Sequence, residues 1–187
     1  MKMKFVTLGV VLLSIAGFVS CKSDKKATVA DSVVAEAAAD EEYPTAPVLS
    51  ESQIAVSDSV FNALKGKQTL ADDSIYTTAS GLRYAVLKKG EGKSPKASDT
   101  VKVHYIGTLP NGEVFDSSVE RGEPISFPLG GVIAGWTEGL QLMQEGGKTV
   151  FYIPSNLAYG PRAVSPQIGP NQDLVFEVEL IEVNPQE

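Results

Sequence analysis

Side chains that commonly carry covalent or metal chemistry are scarce in this sequence. Among 187 residues there is one cysteine, Cys21, and one histidine, His104. A single cysteine excludes an intramolecular disulfide and a multi-cysteine zinc site, and a single histidine excludes a multi-histidine metal site. The sequence also contains neither a nucleophile elbow nor a phosphate-binding loop. Any account of function must therefore rest on other side chains.

The composition predicts a folded protein with an acidic surface. Hydrophobic residues make up 43% of the chain, charged residues make up 21%, and the formal net charge is -7. This apolar fraction is enough for a core and excludes global disorder. Binding to the phosphates of nucleic acid needs a basic face, so we expect no nucleic-acid partner.

The first twenty residues have the features of an export signal. Lys2 and Lys4 precede residues 5–19, which carry no charge. A helix of that length spans about 22 Å, less than the roughly 30 Å of a bilayer core. A short apolar run after a positive start predicts a signal peptide over residues 1–20.

Cys21 directly follows this segment, and the residues before it resemble a bacterial lipobox. Ser20 is the expected small residue, whereas Phe18 stands where leucine is usual. The pattern predicts that Cys21 is lipidated after the signal is removed. The protein would then be an exported bacterial lipoprotein, anchored in a membrane and facing the periplasm or the cell surface. The alternatives are an ordinary cleaved signal, or an uncleaved anchor, with an incidental cysteine.

Two segments separate this cysteine from the strand-rich part of the chain. Residues 21–50 are rich in lysine, serine, alanine and acidic residues, which predicts a disordered tether. In residues 51–79, apolar residues such as Phe61 and Leu64 recur at helical spacing and Gly66 would end a helix, which predicts a possible short helix. We interpret this second segment as a cap on the domain or as mobile chain. A third possibility is that it dimerises the domain, but we expect a monomer.

From residue 80 onward the pattern predicts an α+β domain. Apolar and polar residues alternate, as in antiparallel strands with one face on a core. One helix interrupts the strands, because apolar residues from Ile133 to Met143 recur every three or four positions, and Gly146 and Gly147 would end it. We expect about five strands and one helix in residues 80–187. The strands are predicted near residues 82–86, 101–109, 113–115, 150–153 and 174–180.

Several short motifs follow one another in this region. They are Val101-Lys102-Val103-His104-Tyr105-Ile106-Gly107, Phe115-Asp116-Ser117-Ser118, Gly135-Trp136, Ala158-Tyr159-Gly160 and Leu174-Val175-Phe176-Glu177-Val178. In order and spacing, the sequence resembles the FKBP-type peptidyl-prolyl cis-trans isomerases over about residues 75–184.

The resemblance implies a curved antiparallel sheet wrapped around one short helix, with an apolar hollow between them that receives proline. The reaction would be rotation about Xaa-Pro bonds of exported polypeptides, without cofactor or metal. Trp136 would form the floor of the hollow, and Ile133 would offer its backbone N–H to the substrate carbonyl. The residues implied to be catalytic are Tyr105, Phe115, Asp116, Trp136, Tyr159 and Phe176. Those implied to bind substrate are Arg121, Ile125, Phe127, Val132, Ile133 and Ile168.

Two departures from the family pattern bear on substrate preference. Ile125 stands where many members have phenylalanine, which removes one aromatic wall. The loop over residues 161–173 also differs, with Ile168-Gly169-Pro170 where an isoleucine followed by two prolines is frequent. Ile168 is the one residue of this loop that we assign to the site.

Several of these residues also have a structural interpretation. Trp136 and Phe176 could be ordinary core, Asp116 a turn or capping residue, and Tyr105 a residue that stabilises the sheet. His104 lies on the opposite strand face from Tyr105 and is interpreted as structural. For the whole protein, the alternative is a non-catalytic chaperone or peptide-binding lipoprotein that uses the same pocket.

Overall fold

The computed structural model describes residues 49–185 of the chain. The predicted signal peptide, Cys21 and nearly all of the predicted tether over residues 21–50 lie outside the described residues. Within residues 49–185, no helix is both long enough and apolar enough to cross a membrane.

The described part of the chain is built on one antiparallel sheet of seven strands. The strand order is β1-β2-β6-β7-β3-β4, and β5 pairs with β3 beside this path. The strands are β1 (Tyr76–Thr77), β2 (Arg83–Lys88), β3 (Thr100–Thr108), β4 (Val114–Ser117), β5 (Ile125–Pro128), β6 (Lys148–Ile153) and β7 (Leu174–Val183). Three α-helices accompany them, α1 (Glu51–Lys65), α2 (Ser118–Arg121) and α3 (Ala134–Gln141), with 3-10 turns at Leu129–Gly131 and Ser155–Leu157.

The predicted α+β class and antiparallel sheet are confirmed, and the predicted strand number is corrected. All five predicted strands are present, and β1 and β5 are additional. β1 has two residues and β5 has four, too few to show a clear alternation of apolar and polar residues. Both α1 and β1 precede residue 80, so the packed structure begins earlier than the predicted domain boundary.

The two longest strands, β3 and β7, pair with each other inside the sheet and define its two faces. Along β3, buried and half-buried residues alternate without a break, so that Val101, Val103 and Tyr105 face one side. The same side carries Phe176 and Val178 of β7, which pairs with β3 over most of its length. We call this side the inner face.

α3 packs on the inner face and covers it with Trp136, Leu140 and neighbouring residues. The helix lies close to β6: a Cβ atom added to Gly139 would be only 2.8 Å from the ring of Phe151, so glycine permits this approach. The helix ends at Gln141, not at the predicted Gly146-Gly147. The N–H groups that follow it bond to carbonyls three residues earlier, at Gly139 and Leu140, and such tighter turns close a helix.

The opposite side of the sheet, the outer face, is covered by α1. The helix begins at a capping box between Ser50 and Gln53, which satisfies otherwise unpaired N–H groups. Its Phe61 is fully buried against Val150, Tyr152 and other outer-face residues. Side-chain contacts also join α1 and its following turn to the domain: Asp58 with Arg83 at 2.7 Å, Gln68 with Glu177 at 2.9 Å, and Gln53 with Asp173 at 3.2 Å.

Candidate active site

A cavity of about 620 Å³ opens on the inner face, beside the start of α3. Its lining is mainly aromatic and aliphatic, with one carboxylate and one guanidinium group. Ten residues assigned from the sequence line it: Tyr105, Phe115, Asp116, Ile125, Phe127, Val132, Ile133, Trp136, Tyr159 and Phe176. Four further lining residues were not assigned from the sequence: Gly131, Ala134, Ala158 and Arg162.

The ring of Trp136 lies at the centre of the aromatic residues of this cavity. Tyr105 and Phe176 meet it edge to face, with ring centroids 5.4 Å and 5.1 Å away, and Phe127 lies 5.2 Å away at a tilted angle. Phe115 extends the group through an edge contact with Phe176. Edge-to-face pairs are the arrangement that ring quadrupoles favour. The apolar part of the cavity is therefore formed by aromatic rings that hold one another in place.

Gly107 makes room for two of these rings. It lies on the buried side of β3, opposite Phe176 on β7 and Asp116 on β4. A Cβ atom at this position would lie 2.7 Å from the Phe115 ring and 2.9 Å from the Phe176 ring. Real Cβ atoms do not approach so closely, so the ring cluster requires glycine at position 107.

Asp116 is held in a closed set of hydrogen bonds at the cavity rim. The Tyr105 hydroxyl and the Arg121 guanidinium both donate to its carboxylate. A second Arg121 nitrogen donates to the Tyr105 hydroxyl at 3.0 Å, and the guanidinium lies 5.6 Å from the Tyr105 ring centroid. Arg121 reaches this position because Ser117 caps α2, a single turn that ends at Arg121.

These contacts fix the charge of the two acidic groups. Partial burial on its own would raise the pKa of Asp116, but the hydrogen bonds from Tyr105 and Arg121 lower that pKa below its usual value. Burial, together with the neighbouring carboxylate, raises the pKa of the Tyr105 hydroxyl. At neutral pH the set therefore contains an ionised Asp116, a neutral Tyr105 and a charged Arg121.

A buried serine holds the backbone of Tyr105. The Ser118 hydroxyl, fully buried, accepts from the Tyr105 N–H at 2.8 Å and lies 3.0 Å from Nδ1 of His104. Ser118 begins α2, so this contact connects α2 to β3. The position of His104 agrees with its structural interpretation, because its ring contacts Ser118 and does not line the cavity.

The segment after β6 supplies Tyr159 to the cavity, and Asp173 holds the first residues of that segment. One oxygen of Asp173 accepts from the Ser155 N–H at 2.7 Å, and the other accepts from the Tyr152 hydroxyl at 2.6 Å. Asp173 also receives the Gln53 side chain from α1. The same carboxylate therefore contacts the outer-face helix and the start of the segment that leads to Tyr159.

Two assigned substrate-binding residues lie outside the cavity lining. Ile168 is 5% exposed and packs in the inner-face core, and it is not among the residues that line the cavity. Its apolar side chain closes its own loop, where Val164 donates to the Ile168 carbonyl and the Ser165 hydroxyl accepts from the Ile168 N–H. Arg121 lies beside the cavity, where it contacts the lining residue Asp116.

Two N–H donors at the cavity have no acceptor within residues 49–185. The indole N–H of Trp136 is buried without a hydrogen-bond partner. The backbone N–H of Ile133, which is the N-cap residue of α3, forms no hydrogen bond within the described chain, as is general at the start of a helix. In the same range, no group of three or more His, Cys, Asp or Glu side chains is placed to hold a metal ion.

Comparison with known proteins identifies the family to which this fold and cavity belong. A family model described as FKBP-type peptidyl-prolyl cis-trans isomerase matches residues 91–181. A peptidyl-prolyl cis-trans isomerase of known structure from Pseudomonas syringae is 37% identical, with a TM-score of 0.57, over 71% of this chain and 96% of its own. The chain belongs to the FKBP-type peptidyl-prolyl cis-trans isomerase family.

Other members of the FKBP-type family are more similar in sequence and longer. FkpA of Aeromonas hydrophila is 52% identical over 130 residues, which are 67% of this chain and 48% of that protein. The crystal structure of FkpA from Escherichia coli is 47% identical, with a TM-score of 0.60, over 71% of this chain and 59% of that one. The chain spans about half the length of the curated relatives it matches.

Proposed function

We propose that this FKBP-type protein catalyses rotation about Xaa-Pro peptide bonds in the cavity floored by Trp136. The observation that carries the proposal is the cluster of rings around Trp136, with an adjacent carboxylate that is already neutralised by Arg121. The floor of this cavity is aromatic, and its charged groups lie at the edge.

The chemistry of the reaction explains why an apolar cavity would suffice. Resonance makes the planar amide polar and sets a rotation barrier of about 18–20 kcal/mol. The twisted amide has lost that resonance and is less polar. A cavity without water therefore favours the twisted bond over the planar one, which is stronger binding of the transition state than of the ground state. No covalent bond to the protein is made.

The roles of individual residues follow from their positions. Trp136 would receive the proline ring, with Tyr105 and Phe176 as its walls. The unpaired N–H of Ile133 would donate to a substrate carbonyl, and the Tyr159 hydroxyl would act as a second donor. Asp116 and Arg121 would hold the Tyr105 ring in place, since both contact its hydroxyl. Ile125, Phe127 and Val132 would contact the residues that flank the proline.

The test is cis-trans relaxation of a proline tetrapeptide with the purified protein. We expect acceleration over buffer, and we expect Trp136→Leu to lose most of it. Tyr76→Leu is the matched control, because Tyr76 is an aromatic residue on the edge strand β1, away from the cavity. Folded wild-type protein that does not accelerate relaxation would contradict the proposal. Peptide binding without acceleration would instead favour the non-catalytic binding module.

We also propose that the protein is an exported lipoprotein that acts on proline-containing segments of exported polypeptides. The signal-like residues 1–20 and the lipobox-like residues before Cys21 support this placement. Mass spectrometry of the native N-terminus should find Cys21 as the first residue, carrying acyl chains. An unmodified cysteine or an intact signal would contradict the lipoprotein proposal. We expect a monomer, so light scattering of the protein without its signal and lipid, residues 22–187, should give the mass of one chain.

A further inference from the structure

We propose that Arg162 gives the cavity a preference for proline substrates with an acidic residue next to the proline. The inference rests on the proposed function, because it names the substrate class of the same cavity. Among residues 49–185, Arg162 is the only basic residue that lines the cavity.

Arg162 is placed at the cavity by an anchored turn. Its backbone N–H donates to the carbonyl of Tyr159 at 3.3 Å, which closes a four-residue turn that begins at the residue with the rim hydroxyl. Gly160 is bonded on both sides, from its N–H to the Ser155 carbonyl at 2.8 Å and from its carbonyl to the Asn171 N–H at 2.7 Å. The preceding Pro161 restricts the backbone further. The guanidinium is therefore carried on a turn with a fixed base.

The charges around the cavity leave Arg162 uncompensated. In the part of the chain that the structure describes, Asp116 is the only acidic lining residue, and it forms an ion pair with Arg121. None of the ion pairs within residues 49–185 includes Arg162, and its side chain is exposed. The two charged residues of the lining therefore differ: the carboxylate of Asp116 is paired with Arg121, whereas the guanidinium of Arg162 is in no ion pair of the described residues.

The positive charge of Arg162 is opposite in sign to the net charge of the chain. The formal net charge of the whole protein is -7, which on its own would repel acidic peptides at long range. At physiological ionic strength that repulsion is screened beyond about 8 Å. A side chain bound in the cavity beside Arg162 would thus interact mainly with the nearest charge, and this charge is positive.

The expected effect is modest because Arg162 is exposed. Pairs of exposed charges contribute about 0.2–1 kcal/mol, and values of about 0.4–1 kcal/mol correspond to a two- to fivefold preference. We therefore expect glutamate beside proline to be preferred over glutamine by about two- to fivefold in kcat/KM. The preference should fall toward unity in about 1 M salt, where the screening length is about 3 Å.

The experiment measures relaxation of paired peptides by the full-length protein. One pair places Glu or Gln directly before the proline, and a second pair places Glu or Gln directly after it. The Glu/Gln ratio of kcat/KM is compared among wild type, Arg162→Gln, Arg162→Lys and Arg162→Glu. Lys67→Gln is the matched control, since it removes the same charge from an exposed position after α1, outside the cavity.

The outcomes separate this inference from the proposed function. A ratio above unity in at least one pair that Arg162→Gln abolishes, Arg162→Lys retains and Arg162→Glu inverts would support it. Equal rates for Glu and Gln peptides in both pairs would overturn it, while acceleration of both leaves the isomerase proposal intact. An equal loss of the ratio in Lys67→Gln would also overturn it, because net charge would then be the cause.

A protein that accelerates no peptide would remove the proposed isomerase activity but not the test of Arg162. Binding of the same peptides is then followed by the emission of Trp136, which is the one tryptophan of the chain and lies in the cavity. Tighter binding of the Glu peptides that depends on Arg162 would support the charge preference, and equal or absent binding of both would overturn it.

Discussion

The two faces of the sheet carry similar side chains, but only one of them is closed. On the outer face, Phe61 of α1 packs against Tyr152 and Val150 and is fully buried. On the inner face, Tyr105 and Phe176 surround Trp136, yet a cavity of about 620 Å³ remains above them. Aromatic residues therefore do not mark a binding site by type. Both faces are covered by a helix, and what differs is that a cavity remains beside the rings of the inner face.

The largest expected effect is on the closed face. Phe61→Ala removes a fully buried ring and should lower the free energy of unfolding by about 3–5 kcal/mol. Urea denaturation measures this loss, and the isomerase activity per folded molecule should stay near that of wild type. Val56→Ala, at a position of α1 that is 42% exposed, is the control and should change stability by less than about 0.5 kcal/mol. Strong loss of activity in folded Phe61→Ala would show that the faces are not independent.

On the inner face, a substitution should lower activity more than stability. Trp136→Leu removes the ring that contacts Tyr105, Phe127 and Phe176. We expect kcat/KM to fall by at least about tenfold, which is 1.4 kcal/mol of transition-state stabilisation. The variant must be shown to be folded by circular dichroism. Unchanged activity would mean that Trp136 is core and nothing more.

Asp173 is the residue that connects the two faces, so its removal should affect both. Asp173→Ala deletes the acceptor of Ser155, Tyr152 and Gln53, at an expected cost of about 1–3 kcal/mol in unfolding free energy. Because Ser155 begins the segment that leads to Tyr159, KM for peptides should also rise. Asp173→Asn keeps one acceptor oxygen and should be intermediate. A stability loss without any change in KM would leave the faces uncoupled.

The smallest effect concerns pH and the open face alone. Contacts with Tyr105 and Arg121 lower the pKa of Asp116, so their stabilisation is present above the ordinary carboxyl pKa and is lost as pH falls through the lowered value. The Asp116 side chain is 42% exposed, so we expect less than about 1 kcal/mol. Unfolding of wild type and Asp116→Asn should therefore converge below about pH 4. Activity should be flat between pH 5 and 8, and a midpoint within this range would contradict the assigned charge states.

The sequence predicted the inner face better than the outer face for a physical reason. The alternation in β3 and β7 and the spacing of Trp136 and Leu140 are local patterns, so the strands and the helix could be predicted from them. The contacts of Asp173 with Gln53 and Tyr152 join residues far apart in the chain. No local pattern reports such contacts, which is why the docking of α1 was left undecided.

The differences between the assigned residues and the cavity lining have similar causes. Ile168 was assigned from the family resemblance, but an apolar side chain on a loop is equally able to pack in the core. Arg162 was missed because an arginine in a loop has no sequence pattern of its own. Only the turn that bonds it to Tyr159 brings it to the cavity.

The absence of a side chain at Gly107 constrains any redesign of this protein. The backbone there lies between two paired strands, opposite Phe176 and Asp116, which limits its freedom to retreat from a larger residue. A side chain at position 107 would consequently displace the rings of Phe115 and Phe176 together, so this position is unsuited to changing the range of peptides that the cavity accepts. Ile125, on the short strand β5 and 40% exposed, is the wall position that laboratory evolution can vary at little structural cost.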